Sequence, residues 1–234
     1  MSDFNTGIWI DEVDDGAIND PQQLADVTDV QNLAWSPDGD KIAFEAIINP
    51  FNPPEEWRSQ VRVIRADPTG GYVELGVFDG RQPAWSPDSE KLVVQSCKGS
   101  ECGLFIVNCA GGNCNYEGAE RITTDISDSF PSWSVDDNIA FTSMRDGNQD
   151  IYLLRLADAS LRNLTQRPST DVTPVFSPDG QKIYFRTDFP DAANWQIQVI
   201  TLADDRQTVQ EVATFLADIG DGDQSWGLVR PAVR

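Results

Sequence analysis

Six residues, AWSPDG at 34–39, return along the chain as AWSPDS at 84–89, SWSVDD at 132–137 and VFSPDG at 175–180, with a worn copy, SWGLVR, at 225–230. Their aromatics, Trp35, Trp85, Trp133, Phe176 and Trp226, stand 50, 48, 43 and 50 residues apart. A near-regular period of this size means that one supersecondary unit is repeated, each copy burying a face that it cannot bury alone. The repeat runs through most of the 234 residues, so the chain is read as one domain.

The third copy exposes the content of the unit. FPSWS is a short apolar run, VDD a turn, NIAFTS a second run, RDGNQ another turn, DIYLLRL a third run and LRNLT a weak fourth. Short runs separated by Gly, Asn and Asp predict an antiparallel meander. Four strands per ~45 residues, repeated, predict a blade of a β-propeller. Within the phrase, Pro37 presets its own backbone angle, Asp38 can bond the backbone locally and Gly39 can take a positive φ, so WSPDG is a turn device. Trp35 is expected to pack between neighbouring blades.

WSPDGDKIAFEA, WSPDSEKLVVQS, SMRDGNQDIYLLRLADASLRNLT and FSPDGQKIYFRTD resemble the repeat of the TolB-type β-propeller family, over about residues 30–215. The resemblance implies an all-β propeller of four-stranded antiparallel blades. It also implies a docking platform, since TolB-like propellers often serve as one. The expected blades are 31–78, 82–123, 130–165 and 173–215, with a fifth from 216–234 plus 7–28. In that fifth blade the head supplies the third and fourth strands and the tail the first. Family members typically have six blades, so a slice of a six-bladed or larger propeller is the alternative.

Several functions are excluded or weakened by composition. There is no histidine, which removes Ser-His-Asp and Cys-His nucleophilic systems and imidazole zinc sites. No GxSxG motif is present. The chain is therefore read as a non-enzymatic binding or scaffold module; a glycosidase-like enzyme using two channel carboxylates is the weaker alternative. A net charge of −21 argues against nucleic acid and favours a protein or peptide partner with basic groups. No apolar run approaches the ~18 residues of a membrane span, and MSDFNTGIWIDEVDD lacks the basic start and apolar stretch of a signal peptide. Direct membrane insertion is not expected, and the state expected is a monomer.

All four cysteines lie in the second copy. Cys102 and Cys109 fall at opposite ends of one predicted strand, roughly 20 Å apart at ~3.3 Å per residue. Pairing across that length fails, which leaves Cys97–Cys102 and Cys109–Cys114, each closing a short loop. Free thiols and a four-thiolate metal site are the rival readings. Disulfides would place the chain outside the cytoplasm, in a periplasm, on a cell surface or secreted.

A ligand would meet the propeller face formed by the connections between second and third strands and between successive blades. Asp29, Asp79, Asp128, Asp171 and Asp221 each precede an anchor aromatic by five or six residues. They predict an acidic collar for a cation or a basic peptide, or else turns that bond themselves. Two longer loops carry aromatics: Phe51 and Trp57 in INPFNPPEEWRSQ, Phe189 and Trp195 in TDFPDAANWQ. Exposed aromatics suit protein contact; folded back, they would instead cover the blade. No cofactor is expected, although acid-rich loops could hold Ca²⁺ in a structural role. NLT at 163–165 is a formal glycan acceptor that coincides with the end of a predicted fourth strand.

Overall fold

The computed structural model describes residues 7–10, 13–14, 17–18, 22–25, 30–48, 58–66, 73–189 and 195–217. Near the start, β1 (Ile8–Ile10) pairs antiparallel with β4 (Gln22–Ala25), and β2 (Val13–Asp14) with β3 (Ala17–Ile18) forms a hairpin between them. Four meanders follow. Blade one is β5 (Val30–Trp35), β6 (Lys41–Ile48), β7 (Arg58–Arg65) and β8 (Glu74–Asp79). Blade two is β9 (Arg81–Trp85), β10 (Lys91–Lys98), β11 (Glu101–Asn108) and β12 (Asn115–Arg121). Blade three is β13 (Ser129–Trp133), β14 (Asn138–Ser143), β15 (Asp150–Arg155) and β16 (Ser160–Asn163). Blade four is β17 (Asp171–Phe176), β18 (Lys182–Thr187), β19 (Gln196–Leu202) and β20 (Val209–Leu216).

The all-β propeller is present, but with four blades among the described residues rather than five. Head residues form a two-stranded pair, β1 with β4, rather than a four-stranded blade. Asp, Gly and Pro interrupt IDEVDDGAINDPQQ so often that only strands of two to four residues form, and β1 pairs across the hairpin to β4. The tail beyond residue 217, including Trp226, lies outside the described residues.

The recurrent phrase is a bonded turn. Ser36, Ser86 and Ser177 each donate a hydroxyl proton to the Asp two residues on, at 2.5, 2.5 and 2.6 Å. The same oxygens accept the N–H of Lys41, Lys91 and Lys182 at 2.8, 2.9 and 2.9 Å. Each Asp in turn accepts the backbone N–H two residues further along. The positive-φ position is held by Gly39 at 82° and Gly180 at 69°, by Ser89 at 62° and by Asp137 at 55°. These turns mark one end of the blades, the turn face; the connections between second and third strands and between successive blades form the opposite loop face.

The core is a row of interfaces between sheets. Ile8 and Ala25 of the head pack on Ile42, Phe44 and Ile64. Ala43, Val61 and Val63 meet Trp85, Leu92, Val94 and Phe105. Val93 and Leu104 meet Ile139, Phe141 and Tyr152. Ala140, Ile151 and Leu153 meet Phe176, Ile183 and Phe185. Alternate residues of each second strand thus face the preceding and the following sheet, so both faces are apolar. Trp35 departs from expectation. It is 50% exposed, whereas Trp85 is 6% exposed and donates its indole N–H to Ala34 O at 3.0 Å. An anchor aromatic packs backwards onto its predecessor, and before blade one the described residues supply only the short head strands.

Every innermost strand carries a bulge with a positive-φ residue three positions before its anchor: Asn32 (49°), Gln82 (52°), Phe130 (50°) and Thr173 (54°). The bulge frees a backbone N–H from the ladder, and a side chain of the preceding blade accepts it. Glu45 Oε2 takes Gln82 N–H at 3.3 Å, Gln82 Oε1 takes Phe130 N–H at 2.8 Å, and Thr142 Oγ1 takes Thr173 N–H at 3.1 Å.

Candidate functional site: the loop face

The described collar aspartates do not share one environment. Asp128 and Asp171 are fully buried, each held by an arginine. Arg145 Nη2 donates to Asp128 Oδ1 at 2.5 Å, and its guanidinium lies 4.8 Å from the Tyr152 ring centre and 5.5 Å from that of Phe141. Arg167 reaches Asp171 through Nε at 3.1 Å and Nη2 at 3.2 Å, and Ser169 also donates to Asp171. The Arg167 guanidinium stands 4.6 Å from Phe189 and 5.6 Å from Phe185. A carboxylate neutralised inside the fold offers little to an external cation. Asp79 is exposed; Asp29 and Asp221 lie outside the described residues.

The aromatic loops resolve in part. Phe51 and Trp57 lie outside the described residues. Phe189 caps Arg167, and Trp195 stacks on Arg186, whose guanidinium is 4.6 Å from the indole. Both rings therefore order cations of their own blade, while Phe189 keeps an exposed edge. Blades one and two border a cavity of about 360 Å³ lined by Arg58, Asp79, Arg81, Gln95, Ser96 and Ile126. Asp79 is there joined by two arginines for which the described residues supply no ion-pair partner. Ile126 is 69% exposed, and Met144, also exposed, adjoins it through Ser127, whose hydroxyl accepts the Met144 N–H at 2.9 Å.

A polar network in blade three stiffens this face. Burial, together with the bond that its hydroxyl gives to Asp146, pushes the Tyr152 phenol up. Asn163 Nδ2 donates to Asp150 at 2.7 Å and to the Tyr152 oxygen at 3.0 Å. The amide nitrogen of the NLT sequence is thus committed to the fold, which supports its structural reading. Among the described residues, no group of three or more acidic, cysteine or histidine side chains is placed to hold a metal.

Sequence reasoning missed Arg145, Arg167 and Arg186. The signal was available: an Asp repeated just ahead of each inner strand, once buried, demands a cation nearby, and Arg167 lies four residues before Asp171. The cysteines form Cys97–Cys102 and Cys109–Cys114. The first joins directly opposed positions of β10 and β11; the second joins the end of β11 to the start of β12.

No family model matches the chain. The "Protein TolB homolog" of Chlorobium luteolum is 33% identical over 103 residues, 44% of this chain and 22% of that protein. The crystal structure of TolB from Acinetobacter baumannii superposes with a TM-score of 0.65 at 21% identity, over 87% of this chain and 47% of that one. Sequence relative and superposed fold agree. The chain is similar to TolB in sequence over those 103 residues and in fold over most of its described length. It spans about a fifth of the length of the curated TolB relative and about half of the A. baumannii chain. A puromycin hydrolase also shares the fold, with a TM-score of 0.61 at 17% identity, over 89% of this chain and 32% of that one. The chain has no histidine, so it cannot itself supply a Ser-His-Asp triad.

Proposed function

We propose that the chain is a non-enzymatic docking module that receives a protein or peptide on its loop face, outside the cytoplasm. The observation that carries this reading is exposed Ile126 at the Arg58–Arg81 cavity, with exposed Met144 and Phe189 on further connections at the same end of the blades. Apolar anchors next to guanidinium groups that have no ion-pair partner among the described residues are the composition of an interface centre. Likeness to TolB supports a binding role over a catalytic one. The two disulfides support an oxidising compartment. Two collar aspartates being neutralised internally, the partner is read as a protein segment with apolar side chains, its charge left open.

The test places a photo-crosslinking residue at position 126, identifies the captured partner and then measures its affinity for the chain. Ile126→Arg and Phe189→Ala should each weaken binding at least tenfold without changing the melting temperature. Val135→Arg, at an exposed position on the turn face, should leave it unchanged. Loss of binding by Val135→Arg alone would place the interface on the opposite face and defeat the proposal.

A further inference from the structure

Arg58 and Arg81 line one loop-face cavity from different blades. Arg58 opens β7 opposite Ile48, and Arg81 opens β9 opposite Gln95. Between them the Gly80 N–H bonds Ser59 O at 3.3 Å, and a Cβ on Gly80 would lie 3.2 Å from Gln95 O, so this connection is pressed against both blades. The Cys97–Cys102 bridge and Ile126 add to the wall. Gln95 is turned by the bond from its Nε2 to Ile126 O at 3.1 Å, which leaves its Oε1 without a donor among the described residues. Neither guanidinium comes within ion-pair distance of a carboxylate among the described residues, although Asp79 lines the same cavity. Asp79 also lines a neighbouring cavity with Tyr116. Burial raises the Tyr116 phenol, and the Asp79 charge adds to that rise. The Asp79 charge is thus felt on the Tyr116 side, and both arginines stay without a counter-charge.

A guanidinium presents paired N–H donors in the fork that fits a carboxylate. The charge of the whole chain decides how many carboxylates suit the place. With 38 acidic residues against 17 basic ones, the surface at large repels a segment carrying several acids, whereas a single carboxylate is met locally by two cations. The last residue of a polypeptide holds a carboxylate, an N–H and a side chain on one centre. The wall offers two guanidinium groups, the Gln95 Oε1 and Ile126 to meet them. An Asp or Glu inside a chain carries its carboxylate at the tip of a side chain, and the apolar group must then come from a neighbour. A cavity of about 360 Å³ also falls within the roughly 300–1,000 Å³ of ligand sites. We propose that the cavity captures the free C-terminus of a partner polypeptide ending in an apolar residue, its carboxylate on Arg58 and Arg81, its last N–H on Gln95 Oε1 and its last side chain against Ile126. This rests on the loop face being the docking surface, and it names what is docked there.

Calorimetric titration of the full chain with N-acetylated tetrapeptides tests it. The peptides end in leucine, isoleucine, valine or phenylalanine. Each is made as the free acid, as the C-terminal amide, and as the amide with an internal glutamate. The best free acid should bind at least tenfold more tightly than either amide. Arg58→Gln and Arg81→Gln should each remove most of that gap and leave the melting temperature where it is. The assignment is overturned by equal binding of acid and amide, by the glutamate amide binding as well as the free acid, or by a gap that both arginine variants leave intact. The absence of binding by every free acid at millimolar concentration would overturn it too. Peptide binding that ignores the terminal carboxylate but is lost in Ile126→Arg would sink this assignment alone and leave the docking face standing. Failure of the docking face itself is read separately, from partner capture at position 126.

Discussion

A serine and an aspartate two residues apart do most of the work at each turn. The Ser86 hydroxyl and the Glu90 N–H both bond the Asp88 carboxylate and hold it below the usual carboxylate range. Ser177 and the Gln181 N–H do the same for Asp179. A folded-state value below the unfolded one stabilises the fold above the unfolded value of about 3.9, and that stability is lost as pH falls through the folded value. Urea midpoints measured from pH 6 to 2.5 should hardly change until about pH 4 and then fall. Ser86→Ala, which removes the largest cause of the Asp88 shift, should flatten part of that fall. An unchanged acid limb would mean that these turns do not carry the acid sensitivity.

Strands and turns were legible in the sequence because their signals are local. WSPDG carries its whole bonding scheme within six residues, and IAFE, LVVQ, IAFT and IYFR alternate toward two neighbours. The bulges were not legible. Asn32, Gln82, Phe130 and Thr173 share no chemistry; they share only a position, and at the last three the N–H freed there is bonded by a residue 31 to 48 positions earlier in the chain. Blade number was misread for a related reason, since the head has strand-like residues whose pairing depends on which of them can reach each other. Cysteine pairing was readable because strand length alone forbids the alternatives. Each bridge closes a loop across five positions, so Cys97→Ser with Cys102→Ser should cost about 2 kcal/mol, seen as a lower urea midpoint. A loss above about 5 kcal/mol would mean that the pair does more than close its loop.

At the scale of the molecule, stability lies between sheets rather than within them. Phe141 is fully buried and joins blades two and three, touching the cluster that holds Leu104 and Val93. Phe141→Ala should remove about 3–5 kcal/mol, a large share of the roughly 5–15 kcal/mol that holds an ordinary domain together. Denaturation followed at tryptophans of blades one, two and three should then shift as one transition. Separate midpoints would show the sheets to be independent.

The hand-over at each bulge also bears on how such a chain can change in length. Glu45, Gln82 and Thr142 do the same job with different chemistry, so what is repeated is the junction and not the residue. A duplicated unit brings a finished junction on both sides, and copies can be gained or dropped whole while the neighbours stay as they are. Arg186, at the place in β18 that Thr142 holds in β14, breaks that interchangeability. A guanidinium offers donors only, so a unit spliced in after blade four would have to present an acceptor at that junction.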